Sequence, residues 1–129
     1  MSGLSELPSG VAVLGWQQEY TAAHNFRATA LTDATIIEWD LSSNQVAQVT
    51  LRGNRTLANP TGGKDGGVYV LIVTQDSPGG RTLGFGTNYR WSNGNISPTL
   101  TAIAGRSDIL TFLSFGGKMY GSGSYNYTS

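Results

Sequence analysis

Apolar and polar residues alternate along much of this chain with a period of two, the spacing of a strand that buries one face. From Thr35 to Leu41, Ile37, Trp39 and Leu41 fall on one side and Ile36, Glu38 and Asp40 on the other. Gln45 to Leu51 repeats the pattern with Ala47, Val49 and Leu51 on the inner side, and Ser42-Ser43-Asn44 between them supplies turn residues, so the two segments predict a hairpin. Val68 to Thr74 is a nearly continuous β-branched and apolar run, the composition of a strand covered on both faces. The turn residues Asp76-Ser77-Pro78-Gly79-Gly80 follow it and lead into Arg81 to Phe85, a second predicted hairpin. Asp108 to Phe115, Gly116-Gly117 and Lys118 to Tyr120 predict a third. Shorter strand signals stand at Phe26 to Leu31 and Asn88 to Trp91. The glycine-rich stretch Asn59 to Gly67 and the pair Asn93-Gly94 read as loop and turn, and Gly121 to Ser129 as a last edge strand or a free end.

The first 25 residues break this pattern. Leu4, Leu7, Val11, Val13, Leu14, Trp16 and Tyr20 are scattered among Gly, Ser and Pro with no helical or strand period. They predict an extended apolar arm, because exposed leucine and tryptophan are costly unless covered. Such an arm either packs along its own body or docks on another protein, and docking or exchange between subunits is the favoured reading. About seven or eight short strands in the remainder, residues 26–129, predict an all-β domain of antiparallel β-sandwich or jelly-roll type.

Composition narrows the possibilities further. A chain of 129 residues fits one domain, with 39% hydrophobic residues to fill a core and only 12% charged residues, so its surface is neutral and polar. Eight basic and eight acidic side chains cancel, leaving no field to gather phosphates or an anionic bilayer, which argues against nucleic acid and membranes as partners. Cysteine is absent, so disulfides and thiolate metal sites are excluded, and no apolar run is long enough for a signal core or a bilayer span.

Candidate chemistry is sparse, and the sequence reads as that of a non-enzyme without cofactor or metal. The single histidine, His24, has no second histidine or carboxylate pair spaced to complete a metal site or triad. Glu38 and Asp40 share a strand face and could in principle divide acid and base roles, but alternation alone predicts a solvent-facing polar stripe there. The glycine pairs lack the Gly-Lys-Ser/Thr ending of a phosphate loop. Aromatics near loops, chiefly Tyr89, Trp91 and Tyr125 with Tyr120 and Tyr127, are candidate contacts for a sugar or protein ligand, since each offers an apolar face and a polar handle.

A run of segments in fixed order then carries a resemblance. Trp39-Asp40-Leu41, Val49-Thr50-Leu51 and Gly53-Asn54-Arg55-Thr56-Leu57-Ala58-Asn59-Pro60 come first. Leu71-Ile72-Val73-Thr74-Gln75-Asp76, Gly80-Arg81-Thr82-Leu83, Ser97-Pro98-Thr99-Leu100, Asp108-Ile109-Leu110-Thr111-Phe112 and Met119-Tyr120-Gly121 follow. From about Phe26 to Ser122 the chain resembles the C-terminal domain of phage tail-fibre and related virion proteins. The resemblance implies a β-sandwich assembled as a homotrimer, displayed on the virion surface, with other virion proteins and a host glycan or protein as partners and no catalysis. That family domain usually ends a long fibre chain. A domain joined only to a short arm fits a capsid decoration or head-fibre protein whose arm residues grip the particle, with a tail-fibre or tail-tip adhesion module as the alternative.

Overall fold

The structure is a computed structural model, and it describes residues 28–128. The arm positions Leu4, Leu7, Val11, Val13, Leu14, Trp16 and Tyr20, together with His24 and Phe26, lie outside the described residues. Within them the chain forms nine strands in two sheets around one core. The strands are β1 (Ala28–Ala30), β2 (Ile36–Ile37), β3 (Val46–Leu51), β4 (Arg55–Leu57), β5 (Val68–Gln75), β6 (Leu83–Phe85), β7 (Tyr89–Trp91), β8 (Ser107–Phe115) and β9 (Lys118–Tyr127). The larger sheet has the order β1-β3-β5-β8-β9-β7 and the smaller β2-β4-β6.

Odd- and even-numbered strands of the first half thus alternate between sheets, so the chain winds as a flattened coil. Each turn of the coil lays one strand in parallel beside its predecessor: Ala28 pairs with Val46 and Val46 with Val70 in the larger sheet, while Ile36 pairs with Thr56 and Thr56 with Gly84 in the smaller. The β8–β9 hairpin closes the larger sheet, with β8 antiparallel to both β5 and β9, and β7 returns parallel to β9 at the far edge.

The all-β class and the two-sheet arrangement expected from the pattern are present, but the predominantly antiparallel pairing is not. Only β5 with β8 and β8 with β9 run antiparallel among the described strands. The hairpin at Gly116-Gly117 forms as expected, both glycines sitting at positive φ. The other two expected hairpins do not form. The segment after Ser42-Ser43-Asn44 pairs with β1 and β5 rather than with Ile36–Ile37, and the segment after Asp76 joins the smaller sheet. The turns explain this. Gln75, 3% exposed, accepts from the Arg81 amide and donates to the Arg81 carbonyl, both at 2.9 Å, so the 76–80 turn is pinned in a shape that sends Arg81 across to the second sheet. The tail residues expected as an edge or free end form most of β9: β7 pairs only with Met119, Tyr120 and Gly121, so beyond Gly121 the strand is held by β8 alone and forms the edge of the sheet there.

The core sits between the sheets. Ile37, Leu57 and Leu83 come from the smaller, Ala47, Val49, Leu51, Leu71, Val73, Leu110 and Phe112 from the larger, and Trp39 from the corner between them. Trp39 and Phe112 are both essentially buried and meet edge to face at 5.7 Å, each burial being worth roughly 2–3 kcal/mol. The Trp39 indole N–H would cancel part of that gain if unpaired, and it donates to the Asn44 carbonyl at 2.7 Å.

Candidate functional site

The candidate ligand aromatics lie on β7 and β9, at the far edge of the larger sheet. Alternation along β7 turns Tyr89 and Trp91 inward and Arg90 outward. Tyr89 is 2% exposed; its hydroxyl donates to the Ala58 carbonyl at 2.9 Å, and burial pushes its phenol well above the usual tyrosine range. Its ring is a core ring, closed to a ligand. Trp91 is half-buried, stacked edge to face on Phe85 at 4.8 Å and on Phe112 at 5.5 Å. It lies over Gly121, whose missing side chain makes room for the indole.

Tyr125 stands further along β9, its backbone four residues and about 13 Å of strand beyond the Gly121 that pairs with Trp91. Its ring folds back over Gly123, and it is 44% exposed. Burial of the covered part and the negative charge of Asp108 push its phenol upward. The structure therefore brings Tyr89 and Trp91 together, but as members of one packed aromatic cluster, and leaves Tyr125 as the open ring on that side, while the bulge in β9 sets the exposed Tyr127 opposite Ser107 on the outer face. Tyr120 is exposed on the opposite, outer face of β9.

The acidic pair is accounted for differently. Glu38 and Asp40 are both exposed and line an open groove of about 380 Å³ with Leu31 and Ile36. Asp40 Oδ1 accepts from the Ser42 amide at 3.0 Å and the Ser42 hydroxyl at 2.6 Å, while Oδ2 accepts from the Ser43 hydroxyl at 3.1 Å. Those bonds, the Ser42 hydroxyl foremost, hold its carboxyl below the usual range, so it is a turn cap rather than a proton donor. Two ion pairs are structural in the same sense. Arg55 grips Asp33 at 2.8 Å and Arg81 grips Asp76 at 2.9 Å, lowering both carboxyls and raising both guanidiniums. Every perturbed group among the described residues is thus moved away from neutral pH, the reverse of what acid–base catalysis requires.

Among the described residues three polar side chains are buried, Gln75, Asp108 and Ser114, and the first two form a clamp that was not anticipated. Asp108, 2% exposed, accepts from the Thr101 amide at 2.7 Å, the Thr101 hydroxyl at 2.8 Å and the Asn126 amide at 2.9 Å. Gln75 reaches the same connection by donating to the Thr101 carbonyl at 2.8 Å. Together they tie the irregular 96–104 segment to the ends of β5, β8 and β9. The signal for both was parity: Asp108 shares the inward phase of Leu110 and Phe112, and Gln75 that of Leu71 and Val73. Among the described residues no group of three or more His, Cys, Asp or Glu side chains is gathered to hold a metal ion, and no helix is long and apolar enough to cross a membrane.

Comparison with known proteins returned one family. Residues 30–119 match the model described as "Putative phage tail fibre C-terminal domain". Neither the curated proteins nor the solved structures contain a match. The matched span runs from β1 to the start of β9, taking in both sheets and the core between them. With well over half of its 129 residues inside that model, the chain belongs to the phage tail fibre C-terminal domain family and, with it, to the structural proteins of the virion.

Proposed function

We propose that this protein is a non-enzymatic virion component displayed on the particle surface, assembled as a homotrimer and attached to the particle through residues 1–25. The observation that carries the reading is that the family match spans the folded core: residues 30–119 supply every core residue among the described ones and leave out only most of β1 and β9. The perturbed ionisable groups support a structural role, since none is poised near neutrality. The family description weights the placement towards a tail fibre, with a capsid decoration or head fibre as the alternative. The exposed ring of Tyr125 is the surface best suited to contact a host glycan or protein.

The attachment is tested with particles of the encoding phage grown without the protein. Full-length protein is expected to co-sediment with them, and a variant lacking residues 2–20 to stay in the supernatant with an unchanged β-type circular dichroism spectrum. Truncated protein that sediments as well as the full chain would refute the anchoring role. Full-length protein that fails to bind would refute the virion reading itself.

A further inference from the structure

The outer face of the larger sheet is unlike the rest of the surface. Outward side chains of β1, β3, β5 and β8 include no charged residue: Val46, Val70, Ile72 and Ile109 form its centre, with Gln48, Thr50, Thr74 and Thr111 between them. Register aligns the larger apolar groups across strands. Val68 pairs with Leu113 and Leu113 with Tyr120, giving one apolar row that crosses β5, β8 and β9, and Ile72 pairs with Ile109 in another. Val68 is 48% exposed, Leu113 47%, Phe115 62% and Tyr120 48%. Among the described strands charge appears at the margin of this face, in Arg90 beside Tyr120 and Lys118 beside Phe115. The ion pairs Asp33–Arg55 and Asp76–Arg81 lie at the turns between the two sheets, away from this face.

β5 sharpens the point. Its run of β-branched and apolar residues is the composition of a strand covered on both faces, yet the described residues cover only the side of Tyr69, Leu71 and Val73. A contiguous apolar face of this kind marks an interaction surface.

We infer that this face is where a second copy of the chain docks. This builds on the homotrimer reading above and names the surface that would make it. Two features favour a like partner. Three copies of an apolar, uncharged face can meet around a threefold axis, each packing against its two neighbours, whereas charged faces brought together there would repel. Size also fits: four strands about 4.8 Å apart, at about 3.3 Å per residue along the eight residues of β5, give a face of about 500 Å², the larger part of the roughly 800 Å² each partner buries in a stable interface.

The test is the solution mass of the full chain by light scattering, for the wild type, Leu113→Lys, Thr111→Lys and the control Ile36→Lys. All three replaced side chains are exposed, and Ile36 lies on the smaller sheet, so the fold of each variant tolerates a lysine. Thr111→Lys removes no apolar group and guards against a misfolded Leu113→Lys. The expected result is three times 13.7 kDa for the wild type and Ile36→Lys, and a fall to 13.7 kDa for both outer-face variants. A monomeric wild type would overturn the homotrimer reading and this surface with it. An oligomer that survives both outer-face lysines, or that Ile36→Lys also dissociates, would overturn the surface alone. A monomer whose attachment to particles is lost in Thr111→Lys would assign the face to a different virion protein and refute the second copy.

Discussion

Replacing Gly121 by alanine should destabilise this protein, although the same change in most strands stabilises. Gly121 sits on β9 beneath the aromatic cluster, and a Cβ built there would lie 2.5 Å from Trp91 Cζ3 and 2.7 Å from Phe112 Cε1. The Phe112 ring has no room to retreat. Phe112 is fully buried and touches the rings of Trp39, Tyr89 and Trp91, with centroids 5.4 to 5.7 Å away, so a shift of one displaces the others. Overpacking of this kind costs about 1–3 kcal/mol, against a gain of about 0.5–1 kcal/mol from the lost freedom of glycine in the unfolded chain. The net expectation is a loss of about 1–2 kcal/mol. Gly84 on β6 is the matched control, because a Cβ there meets nothing nearer than Thr56 Oγ1 at 3.6 Å, and Gly84→Ala should gain up to about 1 kcal/mol. Urea unfolding at one fixed protein concentration measures both. Equal midpoints for the two variants, or a Gly121→Ala protein as stable as the wild type, would show that the Trp91 ring is loosely held and would reopen it as a ligand contact.

Two further outcomes follow from the polar interior and the ion pairs. Asp108→Ala removes one acceptor for three donors and leaves the Thr101 and Asn126 amides without a partner, so urea titration should show a loss of about 3 kcal/mol or more; a loss under about 1 kcal/mol would mean that the clamp on the 96–104 segment adds little. Asp33 and Asp76 have carboxyls held below their unfolded value of about 3.9, so their contribution is full above that value and is lost as pH falls through the folded one. Urea midpoints should hold from pH 7 to about 5 and drop below about pH 4, and the double variant Arg55→Ala, Arg81→Ala should blunt that drop; an unchanged acid limb would refute the assignment.

The division between inner and outer residues was legible because side-chain parity is local: Ile37, Trp39 and Leu41, and Ala47, Val49 and Leu51, are buried where alternation puts them. Strand partnership was not legible, for the same reason. Alternation is indifferent to whether the neighbour arrives by a hairpin or one coil later, and Ser42-Ser43-Asn44 and Asp76 to Gly80 are turn residues in either case. The deciding groups were side-chain bonds that no pattern displays, such as Gln75 on both backbone groups of Arg81. The site was legible in part. Tyr125 is exposed, whereas Tyr89 and Trp91 are taken up by the core through Phe85, Phe112 and the gap at Gly121, contacts that join distant parts of the chain.

The most direct measurement of the central claim is immunogold electron microscopy of intact, purified phage particles with antibody raised against residues 28–128. The account predicts gold on the outside of unbroken particles, at the tail for a fibre domain or over the head for a decoration protein. Particles that stay unlabelled, with the protein recovered only from the lysed-cell fraction, would contradict it.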